Sequence, residues 1–151
     1  MVDPVPTGYH TATPVLFVSH LTDAIEFYQQ AFGAEEQGRL WAPTGRLAGM
    51  EISIGDSRIR ILSESPERQF RAPTSLEGRS GMVHLYLPDA MAAFQRAQKA
   101  GASEVEPLNE QYWGDLCGIL EDPYGHRWFI AQQIEDLTPE EILGRGPTTP
   151  L

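Results

Sequence analysis

The chain sets out one structural plan twice. A β-like run from Thr11 to Val18 leads into a helical run ending at Phe32, followed by Gly33-Ala34. Met82 to Leu87 leads in the same way to a helical run ending at Ala100, followed by Gly101-Ala102. Each half closes on a hairpin, turning at Gly55-Asp56 in one and at Asp122-Pro123-Tyr124-Gly125 in the other. A spacing of about 70 residues exceeds a solenoid period and suits two fused β-α-β-β-β units. Such a unit covers one sheet face with its helix and leaves the other face in need of a partner. The expected fold is therefore α+β, two βαβββ modules forming an incomplete barrel around a shared concavity, where a ligand belongs. Residues 1–10 read as a lead-in and 11–137 as the domain, with module one at 11–64 and module two at 81–135. Residues 138–151 read as a short C-terminal helix and tail.

Composition narrows the functional classes. Of 151 residues, 11 are basic and 21 acidic, a formal charge of −10. That field repels phosphate backbones, and no Lys/Arg cluster offsets it, so nucleic acid is not an expected partner. No apolar run approaches the ~18–20 residues of a membrane span, so no membrane partner is expected either. MVDPVPTGYH lacks the basic and apolar regions of a signal peptide, which makes the cytoplasm the expected compartment. The single cysteine, Cys117, cannot close an internal disulfide and sits in an apolar run that suits a nucleophile poorly.

Local signals place the elements. Pro14 restricts the first strand to an edge or to a position that donates no ladder bond. Ala24, Ile25, Phe27, Tyr28, Ala31 and Phe32 form a helical stripe, Asp23 with Glu26 resembles a capping box, and Gly33 ends the helix. In the second helix Asp89 caps, Met91, Ala93, Phe94, Ala97 and Ala100 supply the apolar side, and Gly101 terminates. The stretch from Glu64 to Ser80 has no clear period and is either the crossover between modules or a loop over the site. Thr138-Pro139-Glu140-Glu141 is a capping-box pattern that opens a helix at about 139–144.

A tight turn at Gly55-Asp56 fixes a register. Ile54 faces Ser57, Ser53 faces Arg58, Ile52 faces Ile59, Glu51 faces Arg60 and Met50 faces Ile61. One face is then Met50, Ile52, Ile54, Ile59 and Ile61; the other carries Glu51, Ser53, Arg58 and Arg60. A one-residue slip would mix the two. The charged face is either solvated or lines the concavity.

Several phrases, in this order and spacing, resemble the vicinal oxygen chelate superfamily (the glyoxalase, bleomycin-resistance and extradiol-dioxygenase group). They are Ala24-Ile25-Glu26-Phe27-Tyr28 with Phe32-Gly33-Ala34, Ile54-Gly55-Asp56-Ser57, and Asp122-Pro123-Tyr124-Gly125-His126-Arg127-Trp128. Tyr9-His10-Thr11, Gln111-Tyr112-Trp113-Gly114-Asp115 and Ile134 to Glu141 are similar to its PhnB-like branch. The resemblance implies a glyoxalase-like fold over roughly residues 9–144 and a homodimer. Metal enzymes of the superfamily hold a divalent ion on four strands, and those positions fall at Thr13, Arg60, Met82 and Phe129. None is a good ligand, and Arg60 is a permanent cation. No cofactor is therefore expected and a divalent metal is disfavoured, although a shift of two residues would make His84 and Glu51 the candidates for a displaced site.

The expected ligand contacts are Thr13, Phe17, Arg60, Tyr86 and Phe129 on the strands, with Tyr112 and Trp113 as a lid. Arg60 either clamps a ligand carboxylate or phosphate while Glu51 holds it in place and tempers its charge, or the two merely neutralise each other. Three functions remain open at this point. One is a metal-free protein binding a small aromatic or anionic organic molecule. Another is a lyase or isomerase, with a relocated metal or with Glu51 and His84 as acid–base catalysts. The third is an accessory oligomerisation module.

Overall fold

The computed structural model of the chain describes residues 1–146; the tail expected at the C-terminus falls partly on 147–151, outside the described residues. The chain divides into two units, one ending at Arg79 and the other beginning at Ser80. The first contains β1 (Val15–Val18), α1 (Leu21–Phe32), β2 (Glu35–Trp41), β3 (Leu47–Ile54), β4 (Ser57–Ser63) and a short α2 (Pro73–Leu76). The second contains β5 (Val83–Tyr86), α3 (Ala90–Ala100), β6 (Ser103–Glu110), β7 (Asp115–Glu121), β8 (Arg127–Gln133) and α4 (Pro139–Arg145). Their sheets have the same strand order, β1-β4-β3-β2 and β5-β8-β7-β6. In each, the first strand pairs parallel with the fourth and the others pair antiparallel. The α+β duplication read from the sequence is thus present as two mixed sheets of identical topology.

In the first unit the hairpin register is the one that the turn dictates, with Glu51 opposite Arg60 and Met50 opposite Ile61. Met50, Ile52, Ile54, Ile59 and Ile61 are all buried, as are Leu21, Ala24, Ile25, Phe27, Tyr28 and Ala31 of α1. Burying each large side chain is worth about 1.5–3 kcal/mol, so this layer holds the unit together. Two expectations shift here. The first strand begins at Val15 rather than Thr11, because Pro14 has no N–H to donate; its carbonyl instead accepts from Arg60 N–H at 3.0 Å. Helix α1 starts at Leu21, whose side chain is buried, and its N-cap is His20 with no side-chain cap bond. Asp23 therefore lies inside the first turn, where its charge faces the positive end of the helix.

The second unit repeats the layer with different parts. Asp89 Oδ1 accepts from Ala92 N–H at 2.9 Å, and Gln132 Oε1 from β8 accepts from Ala90 N–H at 3.0 Å, so two side chains satisfy the start of α3. The buried stripe is Ala90, Phe94 and Ala97, packed on a face that holds Leu85, Leu120, Trp128 and Ile130. Met91 is exposed, contrary to expectation, because Ala90 lets the helix lie close and takes the inward position. Gly118 permits that approach: a Cβ there would sit 3.0 Å from the Phe94 ring and 2.9 Å from the Glu106 carbonyl oxygen. The capping box at Thr138 forms, and α4 runs to Arg145.

The turn after β7 is organised by one carboxylate. Asp122 is buried; its Oδ1 accepts from the N–H groups of Tyr124 and His126, both at 2.9 Å. Its Oδ2 accepts from the indole N–H of Trp128 at 2.9 Å, so the largest buried side chain of the unit is pinned to the turn. A buried carboxylate is tolerated only with such satisfaction. We expect Asp122→Ala to cost about 2–4 kcal/mol, since it strands three donors. Urea unfolding would report the loss as a lowered midpoint, and an unchanged midpoint would show that the turn does not need the carboxylate.

Candidate functional site

The open face of the first sheet carries the charged pair expected of it. Arg60 Nη2 lies 2.8 Å from Glu51 Oε1, and Arg60 Nε donates to the same oxygen at 3.1 Å. The Glu51 side chain is 12% exposed against 44% for Arg60, so the carboxylate is covered and the guanidinium partly wet. Both alternatives left open for Arg60 contain this pair, in which Glu51 neutralises and holds a guanidinium that stays partly exposed. Thr13 is half-buried just ahead of β1. Phe17 is half-buried and stacks on Phe70 with ring centroids 4.8 Å apart, while Arg68 lies over Phe70 at 4.4 Å. The 64–80 stretch thus folds back over β1. Glu64 gathers it by accepting from Ala72 N–H and the Ser75 hydroxyl, both at 3.0 Å, and these bonds hold its carboxyl below the usual range. At the other end of the face Arg58 lies over the Tyr9 ring at 5.1 Å, which ties down the lead-in.

The second sheet presents a different surface. Strand alternation and register put His84, Tyr86, Phe129, Ala131, Cys117, Ile119 and Asp115 on the face opposite α3. His84 stacks on Tyr86 with centroids 4.6 Å apart and meets Phe129 edge-on, also at 4.6 Å. Tyr86 is 62% exposed, so the stack is open to a ligand. Tyr112 packs edge-on against Trp113 at 5.0 Å, and Trp113 donates its indole N–H to Asp115 Oδ2 at 3.0 Å. The same oxygen accepts from the Tyr86 hydroxyl at 2.8 Å. That bond to Asp115, with burial and the carboxylate charge behind it, pushes the Tyr86 phenol pKa up.

Asp115 is the residue that sequence reasoning missed as part of the site. It is 4% exposed and joins Tyr86 on β5 to Trp113 in the loop before β7. Its signal was present, since Asp115 opens an apolar strand on the same alternating face as Cys117. The loop itself is fixed by Gly114, whose φ is +95°. A Cβ there would lie 2.6 Å from the Glu135 carbonyl oxygen. The Gly114 carbonyl accepts from both Ile134 and Glu135 N–H, at 2.9 and 3.0 Å. Tyr112 and Trp113 therefore belong to an anchored turn.

The two residues expected to act as acid–base catalysts lie in different units, Glu51 in the first and His84 in the second. The donor chemistry does not fit a divalent cation at the four positions implied by the resemblance. Arg60 is a cation, and Met82 and Phe129 offer no hard donor. Among the described residues, no group of three or more His, Cys, Asp or Glu side chains comes together to hold a metal ion.

Cys117 lies buried beside this cluster, and burial, with the Asp115 and Glu106 charges, pushes its thiol up to about 11. The proton is held more tightly in the fold, so at pH 8 the thiolate fraction falls about 100-fold below that of a thiol with the ordinary value of 9.0. Iodoacetamide at that pH should leave the folded chain unlabelled and label it in guanidinium. Rapid labelling of the folded chain would contradict a buried, protonated thiol.

Residues 9–130 match the model of the Glyoxalase/Bleomycin resistance protein/Dioxygenase superfamily. The uncharacterized protein Rv0887c of Mycobacterium tuberculosis is 37% identical over 133 residues, covering 86% of this chain and 78% of that one. The Arabidopsis thaliana protein At5g48480 is 30% identical over 125 residues, covering 78% and 75%. Its crystal structure superposes with a TM-score of 0.65, over 80% of this chain and 97% of that one. The fosfomycin resistance protein FosX of Listeria monocytogenes, solved with Mn(II) and sulfate, has the same fold at 18% identity. Its TM-score is 0.63, over 89% and 97% of the two chains. With the family model spanning most of its length and a duplicated βαβββ topology, this chain belongs to the glyoxalase/bleomycin resistance protein/dioxygenase superfamily.

Proposed function

We propose that the chain is a small-molecule-binding member of this superfamily, of its PhnB-like branch, that takes a flat organic ligand against the second unit's aromatic face without a metal ion. The observation that carries the reading is the exposed His84–Tyr86 stack, held in place by Asp115. An exposed aromatic pair costs hydrophobic free energy in water and gains it back when a ring covers it. Tyr86, His84 and Phe129 supply stacking and edge surfaces, and Trp113, fixed by its bond to Asp115, supplies another. A few oriented polar groups among aromatic walls are what small-ligand sites offer. The neutralised Glu51–Arg60 pair and the poor ligand set at the family's metal positions favour binding over metal-assisted chemistry. The free thiol of Cys117, the chain's one cysteine, suits a reducing compartment, and members of the superfamily commonly pair, so our reading is a cytoplasmic homodimer.

The reading is tested by thermal shift and tryptophan fluorescence of the full chain against planar aromatic probes, 9-aminoacridine and 9-anthracenecarboxylate among them. At least one probe should raise the melting temperature, and Tyr86→Ala should weaken its binding about tenfold or more. No response to any probe would remove the binding reading. Zn²⁺, Ni²⁺ and Mn²⁺ should leave melting unchanged, and a rise of several degrees that disappears in His84→Ala would overturn the metal-free assignment. Native mass spectrometry should show twice the 16.8 kDa chain mass; a monomer would exclude the dimer.

A further inference from the structure

Resting on the binding reading above, we infer that Asp115 sets the hydrogen-bonding polarity of the aromatic face, so that the ligand it takes is a planar cation or N–H donor rather than an anion. A phenol and an indole are the usual donors that an aromatic wall offers to a ligand carboxylate or phosphate. Here both are spent. Tyr86 has one hydroxyl proton and gives it to Asp115 Oδ2 at 2.8 Å; Trp113 has one indole N–H and gives it to the same oxygen at 3.0 Å. What Tyr86 turns outward is therefore its oxygen lone pairs and its ring face, both of which attract positive charge.

The surrounding charge agrees. Glu106 on β6 stands opposite Ile119 in register, hence on the same face, and is exposed. The Cys117 thiol, raised by burial, by Asp115 and by Glu106, is neutral at physiological pH and adds no donor of strength. Arg127, the cation that register places on this face, is engaged by Glu121 at 3.2 Å. An anion approaching the stack would meet two carboxylates and no free donor from Tyr86 or Trp113, which leaves the His84 imidazole as the ring N–H of the stack. A protonated heterocycle would find a ring to stack on and acceptors at its edge. Asp115 is buried behind Tyr86 and acts as a positioning residue through the two aromatic groups that it holds.

The experiment is calorimetric titration of the full chain in about 150 mM NaCl, where surface fields are screened beyond roughly 8 Å. The probes are 9-aminoacridine, a planar cation at neutral pH, and 9-anthracenecarboxylate, a planar anion of similar size. The cation should bind at least tenfold more tightly. Tyr86→Phe, which keeps the ring and removes the outward acceptor at some cost in melting temperature, and Glu106→Gln, with melting unchanged, should each weaken the cation three- to tenfold. Glu104→Gln, an equal change of net charge on the α3 side of the sheet, where register sets Glu104 opposite Leu120, should leave it unaltered. Asp115→Asn, if it folds, should narrow the ratio between the probes. Equal or tighter binding of the anion would overturn the inference and leave the binding reading intact. So would equal weakening by Glu106→Gln and Glu104→Gln, which would mark a diffuse field. Binding of neither probe would take away both.

Discussion

Strand alternation, pinned by turn geometry, is the constraint from which the rest follows. In the first unit the two-residue turn at Gly55-Asp56 locks Glu51 against Arg60, and with that single register every isoleucine of the hairpin falls on the helix side. Displacement by one residue would place the guanidinium under α1, where desolvation forbids it. In the second unit the turn is longer and the lock is the Asp122 carboxylate, which draws together two backbone amides and the Trp128 indole. The pairing that results puts Cys117, Ile119 and Phe129 away from α3.

Identical topology then carries two unlike surfaces. On the first sheet a salt bridge and a covered ring leave little unsatisfied: Glu51 holds Arg60, and Phe70 lies on Phe17. On the second, one buried carboxylate holds Tyr86 in an open aromatic array in which His84 meets both Tyr86 and Phe129. On topologically equal sheets, the Glu51–Arg60 pair and the returning 64–80 segment satisfy the first face, whereas the second keeps Tyr86 exposed.

Much of the fold was legible because its determinants are local. The Gly55-Asp56 pairing follows from turn length, and the caps at Asp89 and Thr138 follow from side chains that reach only three residues. Misreadings arose where burial outweighed a local signal. Asp23 looks like a cap, but burying Leu21 begins α1 earlier; Met91 looks like core, but Ala90 takes the inward place. The site was half legible for the same reason. Met82, His84 and Tyr86 could be placed on one face by period alone, and Phe129 was added by the family resemblance. That Tyr86 bonds an aspartate 29 residues further on, or that Phe70 folds back onto Phe17, depends on tertiary proximity that no local pattern encodes.

Loop length is not equally free around the molecule. The turn between β2 and β3 is closed by backbone bonds between Ala42 and Arg46 and between Ala42 and Gly45, and a Cβ at Gly45 would meet open space. An added residue there would find room and break little. The Gln111–Gly114 turn allows no such latitude, because one carbonyl oxygen clasps the departing end of β8 while the neighbouring indole is moored to a carboxylate. Lineages of this protein can therefore vary in length at the former bend, whereas at the latter an insertion would dismantle the platform itself.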